Sequence, residues 1–157
     1  MRTVFEFRPS SNCPPRDWRE KVPQGFVLSP IDAELATALD ADLTSALGHS
    51  WFKTAWGGIP EFLSGGFGFV MVNVGDEGPR LASNCRQWGA PGDLAPIQVS
   101  TRAHFRHKGF ATLVCAAFIE ECERRGLTPE YSCDSENLAS AALAIKLGFV
   151  ATGNRKE

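Results

Sequence analysis

The stretch Ile97–Ala111, IQVSTRAHFRHKGFA, constrains this chain more than any other. It reads as a strand, a basic glycine-containing turn and a helix N-terminus in direct succession. Arg102, His104, Arg106, His107 and Lys108 crowd the turn, and Gly109 lets the backbone come close to a bound group. The first amides of the following helix have no partner inside it. Such a helix end seats an anion, and the basic side chains beside it favour a phosphate or pyrophosphate. An ordinary surface turn with solvated charges is the competing reading, because short glycine turns are common.

The residues after the turn narrow the choice. Phe110, Leu113, Val114, Ala117 and Phe118 recur at helical spacing and predict one buried face, ended by Gly126. A short strand, Pro129–Asp134, follows. A second helix is expected from Ser135 to Leu147, capped by Asp134, burying Leu138, Ala141, Ala142 and Ile145, and stopped by Gly148. Upstream, Gly25–Leu28 reads as a strand and Asp32–Leu47 as a helix with Leu35, Leu39, Leu43 and Leu47 on its stripe. Phe67–Val74 and Arg80–Trp88 read as adjacent antiparallel strands joined at Gly75–Gly78. Phe67 and Phe69 are expected in the core. Trp51 and Trp56 are left between core and the wall of a binding groove.

Composition agrees with one globular unit: 43% of the residues are hydrophobic and 22% charged, and the net charge of −2 argues against bulk nucleic-acid binding. The basic residues gather at 102–108 instead, which suits a small polyanion. The five cysteines are odd in number and show no CxxC pairing, so they read as small core residues of a reducing, cytoplasmic compartment. No apolar run is long enough to span a bilayer, and MRTVFEFRPS shows no secretory pattern. Residues 1–24 hold a short strand at Thr3–Phe7 and a proline-rich loop. They are expected as an extension or linker ahead of a domain at 25–157. This segment is read either as a remnant or as a dimer arm, so a homodimer is among the expectations.

Two motifs in order carry a resemblance. Arg106-His107-Lys108-Gly109-Phe110-Ala111 is similar to the pyrophosphate turn Gln/Arg-x-x-Gly-x-Gly/Ala of the Gcn5-related N-acetyltransferases (GNAT). Asn137 with Ser140, then Lys146-Leu147-Gly148-Phe149, is similar to that family's later helix and its end. The runs ATLVCAAFIEECERRGLTPEYSCDSENLAS and TAWGGIPEFLSGGFGFVMV resemble the zwittermicin-resistance-type branch. The resemblance covers roughly Gly25 to Gly153 and implies an α/β (α+β) fold. In it, a mixed, mostly antiparallel twisted sheet carries a central parallel strand pair splayed around the cofactor, with flanking helices.

The resemblance further implies acetyl-CoA as cofactor and direct attack of an amine on its thioester. Arg106, His107, Lys108, Gly109, Phe110 and Ala111 would hold the phosphates. Val99, Ser100 and Thr101 would pair with the pantetheine arm as an added strand, once a bulge lets the two central strands part. An amide near Val99 would face the thioester oxygen. Asn137 and Ser140 would meet the arm from the other side, with Asn137 alternatively serving only its own helix turn.

The chain departs from the family where proton transfer is expected. Ala144 stands at the usual tyrosine acid, and Pro96 and Ser100 stand where the branch shows glutamates. Glu130 is the candidate base, with Ser132 and Tyr131 nearby; transfer by proximity with water as proton acceptor is the alternative. The acceptor class expected is a small-molecule primary amine, such as an antibiotic or amino acid. A non-catalytic acyl-CoA-binding module and a protein or peptide N-acetyltransferase remain open.

Overall fold

A computed structural model describes residues 1–156; Glu157, the last residue of the expected domain, lies outside the described residues. The strands are β1 (Arg2–Phe7), β2 (Phe26–Pro30), β3 (Gly68–Asn73), β4 (Leu81–Gln87), β5 (Leu94–Thr101), β6 (Thr128–Asp134) and β7 (Phe149–Arg155). The helices are α1 (Trp18–Lys21), α2 (Ala33–Leu47), α3 (Trp51–Trp56), α4 (Ile59–Gly65), α5 (Phe110–Arg125) and α6 (Leu138–Lys146). The sheet runs β2-β3-β4-β5-β6-β1-β7. Every pairing is antiparallel except β5 with β6. This is the mixed α/β arrangement that the resemblance implies.

The parallel pair is short. It holds at Leu94↔Thr128, Ala95↔Pro129 and Pro96↔Glu130. Beyond that point β5 stays with β4 as far as Ser83↔Thr101, while β6 goes with β1 as far as Arg2↔Asp134. The two strands therefore diverge. No bulge opens them, contrary to expectation. The β4–β5 register is unshifted, and the irregularities lie at Val4/Phe5 and Met71/Val72. Each strand is simply drawn away by its own antiparallel partner.

One face of the sheet carries α5. Its expected face is buried, and so are Cys115, Ala116, Ile119 and Cys122. The wider burial has a cause in residues 1–24, which form neither an extension nor a linker. β1 lies between β6 and β7, and Trp18 of α1 is buried in the main core. The Trp18 indole N–H donates to the Glu120 carboxylate at 3.1 Å, and Arg16 and Arg19 reach Glu123 and Glu120 on α5. The segment thus roofs the outer side of the helix and completes the sheet.

The other face carries α2, α3 and α4 on a second core of Leu35, Leu39, Trp51, Phe52 and Phe62. Asp32 caps α2 by accepting from the Leu35 amide at 2.8 Å. Cys85, Cys115, Cys122 and Cys133 are buried, Cys13 is half-buried, and all five are free. Burial pushes the Cys122 thiol up to about 12, which keeps it inert. Among the described residues no helix is long and apolar enough to cross a membrane.

α6 corrects two expectations. It begins at Leu138, three residues after the expected start, and its cap is Asn137 rather than Asp134. The Asp134 carboxylate instead accepts from the Glu136 amide at 2.9 Å and closes a turn. The helix also packs on a different face from the one expected: Ala144 and Leu147 are buried, with Ala141 and Leu143 against the core, while Leu138 is 77% and Ile145 56% exposed.

Phe5 tests the role of the N-terminal strand. It is buried and meets Tyr131 edge-on, with centroids 5.6 Å apart. Phe5→Ala is expected to lower unfolding stability by about 3–5 kcal/mol in denaturant titration. A loose extension would give a change within about 0.5 kcal/mol.

Candidate functional site

Where β5 and β6 part, their backbones face each other without pairing. The Trp88 amide donates to the Pro96 carbonyl, and the Arg102 amide to the Ala82 carbonyl. Even-numbered residues of β5 therefore turn their peptide groups toward β4. Since strand peptides alternate, Ile97, Val99 and Thr101 turn theirs into the opening. On the other side the Thr128 amide donates to Asp93 of the β5 edge, and the Ser135 amide to Met1 of the β1 edge. Glu130 and Ser132 accordingly point their peptides into the same opening. Between the strands lies a slot lined by donors and acceptors at strand spacing.

The slot leads to a cavity of about 650 Å³. It brings together Val99, Ser100, Thr101, Arg106, His107, Gly109, Phe110, Ala111, Asn137 and Ser140. Lys108 is the exception. It lines a neighbouring cavity of about 570 Å³ with His104 and Phe26. His107 and Gly109 both adopt left-handed backbone, φ 63° and 79°, and these reversals turn Lys108 to the other side of the turn. Left-handed φ at His107, a side-chain-bearing residue, is unfavourable by about 1–2 kcal/mol and is held by the surrounding turn.

Gly109 is the N-cap of α5, and no side chain caps that helix. A Cβ built on Gly109 would meet nothing within 4 Å. The space over the first turn of α5 is therefore open, with helix amides and the positive dipole end directed at it. Arg106 folds back and donates through Nε to the Thr101 carbonyl at 3.3 Å, which ties the turn to the end of β5.

α6 forms the opposite wall. Asn137 Oδ1 accepts from the Ser140 amide at 3.0 Å, so its side chain serves its own helix turn, the second of the two roles expected for it. The Tyr131 hydroxyl donates to the Ser140 carbonyl at 2.9 Å and shares a hydrogen bond with Ser140 Oγ at 2.7 Å. Burial pushes the Tyr131 phenol well above its ordinary range, so it stays a neutral donor. Ala144, at the position of the usual tyrosine acid, is fully buried.

The far face of the slot is a different environment. Glu130 is exposed and lines a cavity of about 310 Å³ with Trp88, Gln98, Tyr131, Ser132 and Arg2. Arg2 donates to the Ser132 carbonyl at 3.0 Å. Across from Gln98 stands Arg86, in the middle of β4 and only 5% exposed. It donates to Asn84 Oδ1 at 2.6 Å and to Ser100 Oγ at 2.9 Å, and its guanidinium lies 4.5 Å from the centre of the Trp51 ring. Burial pulls the Arg86 group down to about 10, still charged at neutral pH. Trp51 is thus core, as is Phe67, which stacks on Phe118 at 4.6 Å. Trp56 is half-buried and donates to the Gln87 carbonyl at 2.7 Å. Sequence reasoning passed over Arg86; the signal was Asn84 and Arg86 at strand spacing on an otherwise apolar face.

A GNAT acetyltransferase family model matches residues 7–155. The chain is 29% identical over 148 residues to an uncharacterized N-acetyltransferase, YdfB, of Bacillus subtilis, covering 94% of this chain and 52% of that protein. It therefore spans about half the length of the curated relative it matches. A GCN5-related N-acetyltransferase-like protein from Streptococcus suis superposes with a TM-score of 0.71 at 24% identity, over 96% of this chain and 58% of the other. The structure of yncA from Salmonella typhimurium with its cofactor acetyl-CoA superposes with a TM-score of 0.62 at 17% identity, over 83% and 82% of the two chains. At these identities the two structural likenesses speak for the fold.

Asn137→Ala removes the cap of α6 and is expected to lower stability by about 1 kcal/mol, with Asn137→Asp close to the parent protein. Thermal unfolding of the two variants side by side checks it. Equal losses would mean that the amide group, not the capping oxygen, matters.

Proposed function

The chain belongs to the GNAT acetyltransferase family, and from that premise we propose that it binds acetyl-CoA between β5, the Arg106–Ala111 turn and α6, and transfers the acetyl group to a small-molecule primary amine. One observation carries this reading: an edge of unpaired backbone on β5 opens directly onto an uncapped helix N-terminus. Few ligands need both. A pantetheine arm has amides that pair like a strand, and it ends in a pyrophosphate. Arg106, His107, Gly109, Phe110 and Ala111 would hold the phosphates, with Lys108 adding charge from the outer side of the turn. Val99 and Thr101 would pair with the arm, Ser100 would stand between them on the opposite face, and Ser140 would meet the arm from α6 beside its cap, Asn137.

The Val99 amide is then the donor to the thioester oxygen. As the amine attacks the carbonyl carbon, the oxygen gains charge. A fixed amide there stabilises the transition state by about 3–4 kcal/mol. The carbon–sulfur bond breaks and the thiolate leaves with a proton from solvent or the ammonium. A primary amine with pKa near 10 arrives protonated and must lose that proton first. Glu130 sits level with Pro96, three residues short of Val99. At about 3.3 Å per residue that is about 10 Å along the strand. Glu130 therefore serves as the end of a water chain rather than in direct contact. The likeness to zwittermicin-resistance-type enzymes supports an amine-bearing small molecule as acceptor.

Acetyl-CoA at about 100 times its dissociation constant is expected to raise the melting temperature by about 5–10 °C. In Gly109→Glu, a carboxylate over the first turn of α5 is expected to abolish that rise. The variant itself should lose only about 1–2 kcal/mol, from left-handed φ. Undiminished binding by this variant would move the phosphate site elsewhere. Glu130→Gln is expected to lower the rate of thiol release at neutral pH by about tenfold or more, with acetyl-CoA affinity unchanged. An identical pH–rate profile would remove Glu130 from the mechanism. Binding with no transfer to any amine would favour the acyl-CoA-binding module.

A further inference from the structure

Arg86 is a cation that the fold does not neutralise. It is 5% exposed, and among the described residues no carboxylate pairs with it. Asn84 and Ser100 supply neutral oxygens to one Nη, and the Trp51 ring covers the guanidinium. Its Nε has no hydrogen-bond partner, and neither does the Trp51 indole N–H. Two orphaned donors thus lie together beneath the sheet. Taking a guanidinium out of water without a counter-charge is strongly unfavourable, and an apolar side chain would fill a core site at lower cost. A residue placed this way lacks the counter-charge that an anion from outside would supply.

The position of the group indicates where that anion sits. Asn84 and Ser100, which hold the guanidinium, line a cavity of about 300 Å³ between α2 and the sheet, and Arg86 lies behind them. Arg102 also lines it and is paired with Asp42 at 3.5 Å. The cavity opens on the face away from α5, and Ser100 is the residue next to Val99. Arg86 stands on β4 opposite Gln98, the residue before Val99, and its guanidinium holds Ser100, the residue after it, so the buried cation lies beside the proposed transfer point.

We propose that Arg86 binds a carboxylate of the acceptor, so that the acceptor is a small amino acid-like molecule with its amine and its carboxylate a few bonds apart. The inference rests on the acetyltransferase reading for the word acceptor, but not for the anion site. A planar guanidinium fork with a free N–H matches a carboxylate, and charge-assisted bonds in a buried site discriminate strongly against a neutral isostere.

The test uses the full chain saturated with CoA and a panel of α-, β- and ω-amino acids, each beside its own carboxamide. Binding is followed by calorimetry. At least one carboxylate is expected to bind about ten- to a hundredfold more tightly than its carboxamide. Arg86→Gln should erase that preference and Arg86→Lys should keep part of it. CoA binding should be intact in both. Arg86→Gln should also leave the melting temperature of the unliganded protein unchanged or higher, because it removes an uncompensated buried charge. A structural role predicts a fall instead. No carboxylate preference in the parent protein, or a preference that survives in folded Arg86→Gln, overturns the proposal. If carboxylates bind through Arg86 and none is acetylated, the anion site stands and the transferase reading fails. Acetylation of neutral amines with no carboxylate preference removes the anion site and leaves the transferase reading standing.

Discussion

Everything at the site depends on the separation of two strands that begin as partners. Buried peptide groups must find hydrogen bonds, and a strand edge that loses its neighbour exposes a row of them. β5 and β6 share only Leu94–Pro96 and Thr128–Glu130 before they part. The fold tolerates this because each strand keeps a full antiparallel partner on its outer side, β4 for one and β1 for the other. The open edges are then free to pair with an extended ligand.

That arrangement gives the first residues of the chain a structural task. β1 holds β6 away from β5, and α1 covers the outer side of α5. α5 in turn must stay in place, because its uncapped N-terminus at Gly109 faces the cavity below the parted strands. Sheet edge, helix end and N-terminal strand therefore form one mechanical unit. The two faces of the sheet divide the chemistry. The α5 face offers helix amides and basic turn residues, and the α2 face offers Arg86, Ser100 and the second core. Val99 and Ser100, adjacent in sequence, belong to opposite faces, so one strand serves both.

Local signals in the sequence were sound where a residue's environment is set by its own neighbours. Leu94–Thr101 is the strand expected, Gly126 ends α5, and Asp32 with Leu35, Leu39 and Leu43 marks α2. The basic turn was legible because its glycine, its clustered cations and the periodic helix after it are all local features. Asp134 and Asn137 show the opposite case. Both are good caps, and only the tertiary position of the helix decides between them. Leu138 and Ile145 look like a core stripe at helical spacing yet face outward, because Ala144 and Leu147 are the residues that meet the sheet. Residues 1–24 read as a linker since prolines obscure α1, and because pairing with β6 and β7 is invisible to any local pattern.

By itself, the sequence determined the identity of the elements around the turn, the turn's place as the candidate anion site, and the departures at Ala144, Pro96 and Ser100. These follow from short-range physics: helical and strand periodicity, glycine conformation and the spacing of charges. Only the tertiary structure decided that the central strands part without a bulge, that Lys108 leaves the cavity, that the N-terminal strand draws β6 away from β5, and that Arg86 is buried without a counter-charge. Each of these depends on contacts between residues far apart along the chain, where solvent exclusion and strand partnership, not local preference, set the energy.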